Sequence, residues 1–179
     1  MSSNQPGTIA ITGLGSFLGR RLAERLLWRA PRLRIIGLDV RRPHRLEGRM
    51  RYQRVDLTEP TAGNHLAEIF HREHIDAVVH TAFRAAPTPD LEYDHELETL
   101  GSLHLMNACV AAKVKRLVVA SSTMLYGPWP DNPNYLTEEH PLRGHPDAHN
   151  VRNRVEVEAM LSDWSVRHPS LELTVLRSG

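Results

Sequence analysis

The sequence lacks a cysteine pair, a long hydrophobic run and a leader-like N-terminus. Cys109 is the only cysteine among the 179 residues, which excludes an internal disulfide and is typical of proteins from a reducing compartment. No apolar run approaches the ~18 residues that a membrane-spanning helix needs, and residues 1–6 do not have the basic start and apolar core of a signal peptide. We therefore expect a cytoplasmic protein that does not contact a membrane.

An excess of charge is also missing. The chain carries 22 basic and 21 acidic residues, so its formal net charge is +1, and both signs are scattered. Such a distribution produces no field that would attract nucleic acid. Only Lys113 and Lys115 are lysines, but the many arginines are dispersed and do not indicate a phosphate-binding patch. Cys109 lies in an apolar segment, so we expect it to be a small buried residue and not a nucleophile.

What the sequence does contain is a glycine-rich turn within residues 8–19. Ile9 and Ile11 before the turn predict a short buried strand, and residues 17–28 after it predict a helix. A strand, a glycine turn and a helix N-terminus are typical of a pyrophosphate-binding site, because backbone N–H groups point outward and phosphates can approach closely. Asp39 follows twenty residues after Gly19, where a carboxylate can accept hydrogen bonds from the adenosine ribose.

Strand-like and helix-like segments alternate along the whole chain. This alternation predicts an α/β fold with a doubly wound, mostly parallel sheet of about six strands and helices on both faces. The runs 77–79 and 117–120 are continuously apolar, as expected of strands covered on both faces. Leu18, Leu22 and Leu26 predict the buried face of the first helix. The predicted strands are 9–11, 33–39, 50–56, 77–82, 116–122 and 171–177, and residues 127–150 are predicted to form a long surface loop.

In their order and spacing, these motifs resemble the extended short-chain dehydrogenase/reductase family, also called the NAD-dependent epimerase/dehydratase family. The similarity covers nearly all of the chain, so residues 1–179 are expected to form one dinucleotide-binding domain. The resemblance implies a Rossmann fold, NAD as the cofactor and a small-molecule substrate such as a sugar nucleotide or another small carbonyl or alcohol. It leaves a homodimer open. Family members carry a further substrate-binding lobe, which would begin where this chain stops. The resemblance rests on Asp39 and on the motifs at residues 12–19, 56–57, 78–82, 101–102, 118–127 and 173–177.

The resemblance also places residues around the cofactor. Three glycines would lie under the pyrophosphate, although the middle glycine of the family stands where this chain has Ser16. Asp39 would hold the ribose. Arg41 and Arg42 leave a 2′-phosphate contact open, but a carboxylate would repel that phosphate, which favours NAD over NADP. The complete set implied for the cofactor is Gly13, Gly15, Ser16, Phe17, Leu18, Gly19, Asp39, Asp56, Leu57, Thr81, Ala82 and Phe83.

Asp56, Leu57 and Phe83 belong to this set on separate grounds. Asp56 and Leu57 resemble the pair that brackets the adenine, but Asp56 could instead only cap the turn at residues 58–60. Phe83 stands where the family usually has a small residue, and it could narrow the wall on the nicotinamide side. His80, at the end of the same strand, is expected to be structural.

The catalytic positions depart from the family pattern. By resemblance, catalysis would use a serine or threonine, a tyrosine that transfers a proton and a lysine that lowers the tyrosine pKa. Ser122 occupies the serine position, but Asn150 and Arg154 stand at the tyrosine and lysine positions. An asparagine amide cannot act as an acid. We therefore expect impaired or unconventional catalysis, or alternatively a catalytically silent NAD(H)-binding sensor or scaffold.

Three further residues belong to this question. Tyr126 and His149 are nearby candidates for a substitute acid, although a structural role is expected for each. Glu98 replaces the asparagine that the family has three residues before Gly101, which is a second departure in the same region.

Overall fold

The computed structural model describes residues 7–43, 50–84 and 89–179. The N-terminal segment that was compared with a signal peptide lies outside the described residues. Residues 44–49, between the second and third strands, also lie outside the described part of the chain.

Six strands form one parallel sheet. They are β1 (Thr8–Thr12), β2 (Arg34–Asp39), β3 (Met50–Arg54), β4 (Ala77–His80), β5 (Arg116–Ser122) and β6 (Glu172–Ser178). Their order in the sheet is β3-β2-β1-β4-β5-β6, and every neighbouring pair is parallel. The direction in which strands are added reverses between β1 and β4. Ligands of such sheets bind at that point, outside the carboxyl ends of the strands.

The connections between strands are mostly helical. The helices are α1 (Phe17–Arg29), α2 (Ala62–Glu73), α3 (Leu91–His95), α4 (Gly101–Ala111) and α5 (His149–Arg167). A π-helical turn, Glu96–Leu100, joins α3 to α4, and a 3₁₀ turn, Thr123–Tyr126, follows β5. Residues 127–148 form the predicted long loop. This architecture confirms the predicted doubly wound α/β fold.

Helices cover the sheet unequally. One core cluster joins the sheet to α2, α4 and α5 and includes Phe70, Leu105 and Leu161, while a smaller cluster joins β1 and β2 to α1. As a result, Val78 is buried but Val79, which points to the α1 side, is only partly covered. The expectation of full cover on both faces along 77–79 and 117–120 was therefore wrong for one face in the described part of the chain.

The buried face of α1 is displaced by one residue from the prediction. Gly19, Ala23 and Leu27 are buried, whereas Leu18 is half exposed. The cause lies at the helix N-terminus, where a Cβ on Gly19 would stand 2.3 Å from the Gly13 carbonyl oxygen. Close approach of the glycine to the preceding turn sets the rotation of the helix, and leucine spacing alone does not contain this information.

The expected burial of the single cysteine is confirmed. Cys109 is fully buried in α4, and burial raises the pKa of its thiol to about 12, so it is not a nucleophile at neutral pH. None of the described helices combines the length and the apolar character that crossing a membrane requires. The same residues contain no group of three or more side chains arranged to hold a metal ion.

Candidate functional site

The turn after β1 is built for close approach of the backbone. Gly13 has a φ of +69°, and a Cβ there would lie 2.6 Å from the backbone of Thr81, so a side chain cannot be accommodated. Ser16 caps α1, since its Oγ accepts a hydrogen bond from the Gly19 N–H at 3.0 Å. The helix therefore begins directly after the turn, and its positive end faces the carboxyl ends of the strands.

Asp39, the last residue of β2, lies against this turn. Its Oδ2 accepts a hydrogen bond from the Gly15 N–H at 2.8 Å, and its Oδ1 accepts one from the Arg41 N–H at 3.2 Å. Each carboxylate oxygen keeps capacity for a further hydrogen bond. The carboxylate is thus oriented by two main-chain donors and can still accept from a ligand hydroxyl.

A cavity of 480 Å³ opens at the reversal point of the sheet, between the ends of β1, β2 and β4. Of the residues assigned to the cofactor by resemblance, those that line it are Gly13, Gly15, Ser16, Asp39, Leu57, Thr81, Ala82 and Phe83. The sequence did not point to several other lining residues, which are Thr12, Leu38, Val40, Pro43, Val55, Arg84, Tyr93 and Leu97. Arg41 and Arg42, whose role was left open, also line it.

Tyr93 and Leu97 show why part of the cavity was missed. They lie on α3 and the π-helical turn, and the sequence carries no strong helical signal there. Tyr93 is half-buried, and burial raises its pKa, with the negative charge of Asp56 as a further cause. Their spacing of four residues would have indicated one helical face.

Four of the predicted cofactor residues lie outside the lining in the described structure. Phe17 and Leu18 are exposed in the first turn of α1, and Gly19 is buried beneath that turn. Asp56 accepts hydrogen bonds at Oδ1 from the N–H and hydroxyl of Thr58, at 3.1 and 2.8 Å. Of the two interpretations given for Asp56, these contacts match the second, in which the carboxylate caps the turn at residues 58–60.

The cavity fits the adenosine diphosphate portion of a dinucleotide. Leu38, Val55 and Leu57 supply an apolar wall, Asp39 supplies a hydroxyl acceptor, and the turn with the α1 N-terminus supplies a place for phosphate. The geometry of the glycine turn supports this fit independently. Its backbone packs so closely that a side chain at Gly13 would collide with Thr81.

Arg154, which the resemblance placed at the lysine position, turns its side chain into the protein. The guanidinium lies 5.1 Å from the ring centroid of Phe83, and Nη2 donates a hydrogen bond to the Arg84 carbonyl at 2.6 Å. Nε lies 3.8 Å from Oε1 of Glu98, which is fully buried. Burial lowers the pKa of Arg154 and raises that of Glu98, in each case opposed by the charge of the other.

The structure places the other two predicted catalytic residues, Ser122 and Asn150, on different elements. Ser122 lies at the end of β5 and caps the following 3₁₀ turn, with its Oγ accepting from the Met124 N–H at 3.2 Å. Asn150 lies in the first turn of α5 and is partly buried. Among the described residues, Ser122, Asn150 and Arg154 do not line the cavity.

The two candidates for a substitute acid differ in exposure. Tyr126 is buried, and its hydroxyl accepts a hydrogen bond from Nη1 of Arg177 at 2.8 Å. Arg177 is in turn held by Glu158 at 2.7 Å. His149 is exposed at the start of α5, where it contacts Arg152.

His80 is buried at the end of β4 and connects the glycine turn to α4. Its Nδ1 lies 2.6 Å from Thr12 Oγ1, and its Nε2 lies 3.1 Å from Ser102 Oγ. Because the Ser102 hydroxyl donates to the Glu98 carbonyl, it accepts from Nε2–H, and Nδ1 accepts from Thr12. Burial lowers the pKa of His80 to about 3, so the ring is neutral, as a structural histidine requires.

Sheet order, glycine turn and the carboxylate at the end of β2 define a dinucleotide-binding Rossmann fold. Residues 9–177 match the profile of the family described as the NAD dependent epimerase/dehydratase family. The chain belongs to this family, as the motifs indicated.

Similar proteins support the same assignment. An uncharacterized protein of Mycobacterium tuberculosis is 28% identical over 182 residues, covering 96% of this chain and 46% of that protein. A UDP-glucose 4-epimerase of Yersinia pestis is 34% identical over 116 residues, covering 63% of this chain and 33% of the enzyme. The Thermus thermophilus UDP-glucose 4-epimerase in complex with NAD superposes with a TM-score of 0.79 at 26% identity, covering 95% and 54% of the two chains. The chain thus spans half or less of the curated relatives named here.

Proposed function

We propose that this chain binds NAD in the cavity between β1, β2 and β4. The observation that carries the proposal is the contact between Asp39 and the Gly15 N–H, which fixes a ribose acceptor beside the phosphate-binding turn. Gly13 and Ser16 would lie against the pyrophosphate, and Leu57 against the adenine. The bound cofactor would supply a nicotinamide ring that can accept or return a hydride.

We propose further that the whole protein is an epimerase- or dehydratase-like protein that acts on a sugar nucleotide or another small carbonyl or alcohol. Family membership and the UDP-glucose 4-epimerases among its relatives support this substrate class. Ser122 could donate a hydrogen bond to a substrate oxygen, but Asn150 offers no acidic proton. Catalysis by this set of residues is therefore impaired or takes an unconventional route.

A catalytically silent NAD(H)-binding sensor or scaffold is the second candidate. The specific observation in its favour is Arg154, whose cation is held by Glu98 and Phe83 and is not free to assist a proton transfer. In that function the ligand would change the protein's association with another molecule, without being turned over.

Calorimetry with NAD and NADP tests the first proposal. We expect NAD to bind at least several-fold more tightly, because Asp39 would repel a 2′-phosphate. Tighter binding of NADP would contradict the cofactor assignment, and failure of both to bind would contradict the site itself. Conversion of UDP-glucose to UDP-galactose, followed by chromatography with NAD present, separates the enzyme from the silent protein.

A further inference from the structure

We infer that His80 is a positioning residue for the glycine turn. Its Nδ1 holds Thr12 in the place from which the turn binds the cofactor, and the ring itself does not touch the ligand. Since this role concerns the proposed NAD site, it rests on the proposed function. It adds to that site a residue that neither the glycine pattern nor Asp39 indicates, because His80 acts from behind the cavity wall.

His80 lies directly behind two parts of that wall. Thr12 and Gly13, at the end of β1, line the cavity, and so do residues 81–83, which follow the end of β4. His80 itself is 1% exposed and does not belong to the described lining. It can therefore affect a ligand only through the residues that it contacts.

The contact with the turn is made through Thr12, the residue directly before Gly13. Thr12 and His80 are partners in the parallel register of β1 and β4, so their side chains lie on the same face of the sheet. The Thr12 hydroxyl is buried and donates to Nδ1 at 2.6 Å. Loss of this acceptor leaves a buried hydroxyl unsatisfied, and the end of β1 is then expected to shift toward another partner.

A small shift of Thr12 matters because the turn after it has no spare room. The Thr12 carbonyl accepts a hydrogen bond from Thr81 Oγ1 at 2.6 Å, and a Cβ on Gly13 would lie 2.6 Å from the Thr81 backbone. The Gly15 N–H, which orients the carboxylate of Asp39, belongs to the same turn. Displacing the end of β1 therefore disturbs both the phosphate-binding backbone and the ribose acceptor.

The imidazole ring is held in place by groups other than Thr12. Its Nε2 donates to Ser102 Oγ in α4 at 3.1 Å, and the Ser102 hydroxyl donates to the Glu98 carbonyl. The ring of Phe83 lies 4.7 Å away in an edge-on arrangement. These contacts fix Nδ1 where the Thr12 hydroxyl needs an acceptor. The nitrogen, and not the bulk of the ring, is thus predicted to position the turn.

Two amide residues separate the roles of the two ring nitrogens. The amide of asparagine reaches the position of Nδ1, whereas that of glutamine reaches the position of Nε2. The experiment is calorimetry of the whole chain with NAD at neutral pH, with each variant shown to be folded by circular dichroism. His80→Gln is expected to bind NAD about tenfold more weakly, because the Thr12 hydroxyl loses its acceptor. His80→Asn is expected to stay within about threefold of the unmodified chain.

Variants of the two partners complete the comparison. Ser102→Ala is the matched control, since it removes the partner of Nε2 and leaves the Thr12 contact, and its NAD affinity should change by less than about threefold. Thr12→Val combined with His80→Gln should bind no more weakly than Thr12→Val alone, because both changes remove the same hydrogen bond. Thr12→Val against Thr12→Ser, which keeps the hydroxyl, gives the same test if the His80 variants do not fold.

Equal NAD affinity of His80→Asn and His80→Gln would overturn the positioning role. Equal losses would show that the ring acts only through its packing, and two unchanged affinities would show that the turn does not depend on it. In both cases, binding of NAD by the unmodified chain would leave the proposed site standing. Absence of binding by the unmodified chain would instead contradict the proposed site, and the role of His80 with it.

Discussion

Arg154 and Glu98 form a largely buried ion pair, with Nε and Oε1 3.8 Å apart. Phe83 lies under the same guanidinium. The three residues are distant in sequence but form one packed group. The three residues that the resemblance marked as departures from the family therefore contact one another.

The buried pair predicts an asymmetric mutational response. Arg154→Met should lower the free energy of unfolding by about 3–5 kcal/mol, because the carboxylate of Glu98 remains buried without a cation. Adding Glu98→Gln should recover most of that loss. Denaturant unfolding of both variants measures the effect, and Arg167→Met should stay within ~0.5 kcal/mol of the unmodified chain. Equal losses in the single and double variants would show that the pair is not coupled.

Asp39 should carry much of the nucleotide affinity. Asp39→Ala removes an acceptor for the ribose hydroxyls and should weaken NAD binding by about 1.5–3 kcal/mol, since the lost hydrogen bonds are charge-assisted. Calorimetry checks the value. The exposed Asp147, varied to Ala, is a control of the same type. Unchanged NAD affinity in Asp39→Ala would place the ribose elsewhere.

We predict that Gly15 affects NAD binding through its contact with Asp39. A Cβ at Gly15 would lie 3.2 Å from Asp39 Oδ2, so Gly15→Val should push the carboxylate away and occupy the phosphate side of the cavity. We expect loss of NAD binding with an unchanged circular dichroism spectrum. Gly63→Val in α2, where a Cβ meets its neighbours only at 3.7 Å, should keep binding. Retained binding in Gly15→Val would show that the pyrophosphate does not approach this turn.

Because His80 is buried in its neutral form, we predict that the folded protein becomes less stable in acid. Its pKa is about 3 in the folded chain and ordinarily 6.5, so unfolding takes up a proton between these values. Stability contributed by the neutral ring is complete above pH 6.5 and falls as the pH drops toward 3, by up to about 5 kcal/mol. Glu98, whose pKa is raised by burial, acts in the opposite direction. Unfolding at a series of pH values should therefore show a smaller acid dependence in His80→Gln than in the unmodified chain; parallel curves would contradict a buried neutral His80.

Oxidoreductase activity of this chain should be low. General acid–base groups typically contribute ~10²–10⁴-fold, and Asn150 cannot transfer a proton. NADH absorbance with sugar nucleotides and simple carbonyls measures the rate, and Asn150→Tyr/Arg154→Lys is the informative comparison. Robust turnover by the unmodified chain would contradict the prediction and direct attention to Tyr126 or His149.

The sequence by itself determined the fold and placed the glycine turn and Asp39 at one edge of the sheet. Alternating strand and helix patterns, the glycine turn and Asp39 are local signals, because each depends on residues that are near one another in the chain. The predicted strands 50–56 and 77–82 each extend two residues beyond the observed β3 and β4. Those extra residues include Val55, Thr81 and Ala82, which line the cavity. Local pattern therefore placed these residues at the edge of the sheet where the cavity opens.

Tertiary structure alone decided the rotation of α1 and the pairing of Arg154 with Glu98. Gly19 contacts Gly13 and Thr81, and this approach turned the buried face of α1 away from the leucine pattern. Likewise, Arg154 could be recognised as a replaced lysine, but its partner Glu98 lies 56 residues earlier in the chain. A buried charge is stable only beside its counter-ion, and which side chain becomes that counter-ion depends on the packing of α5 against the π-helical turn.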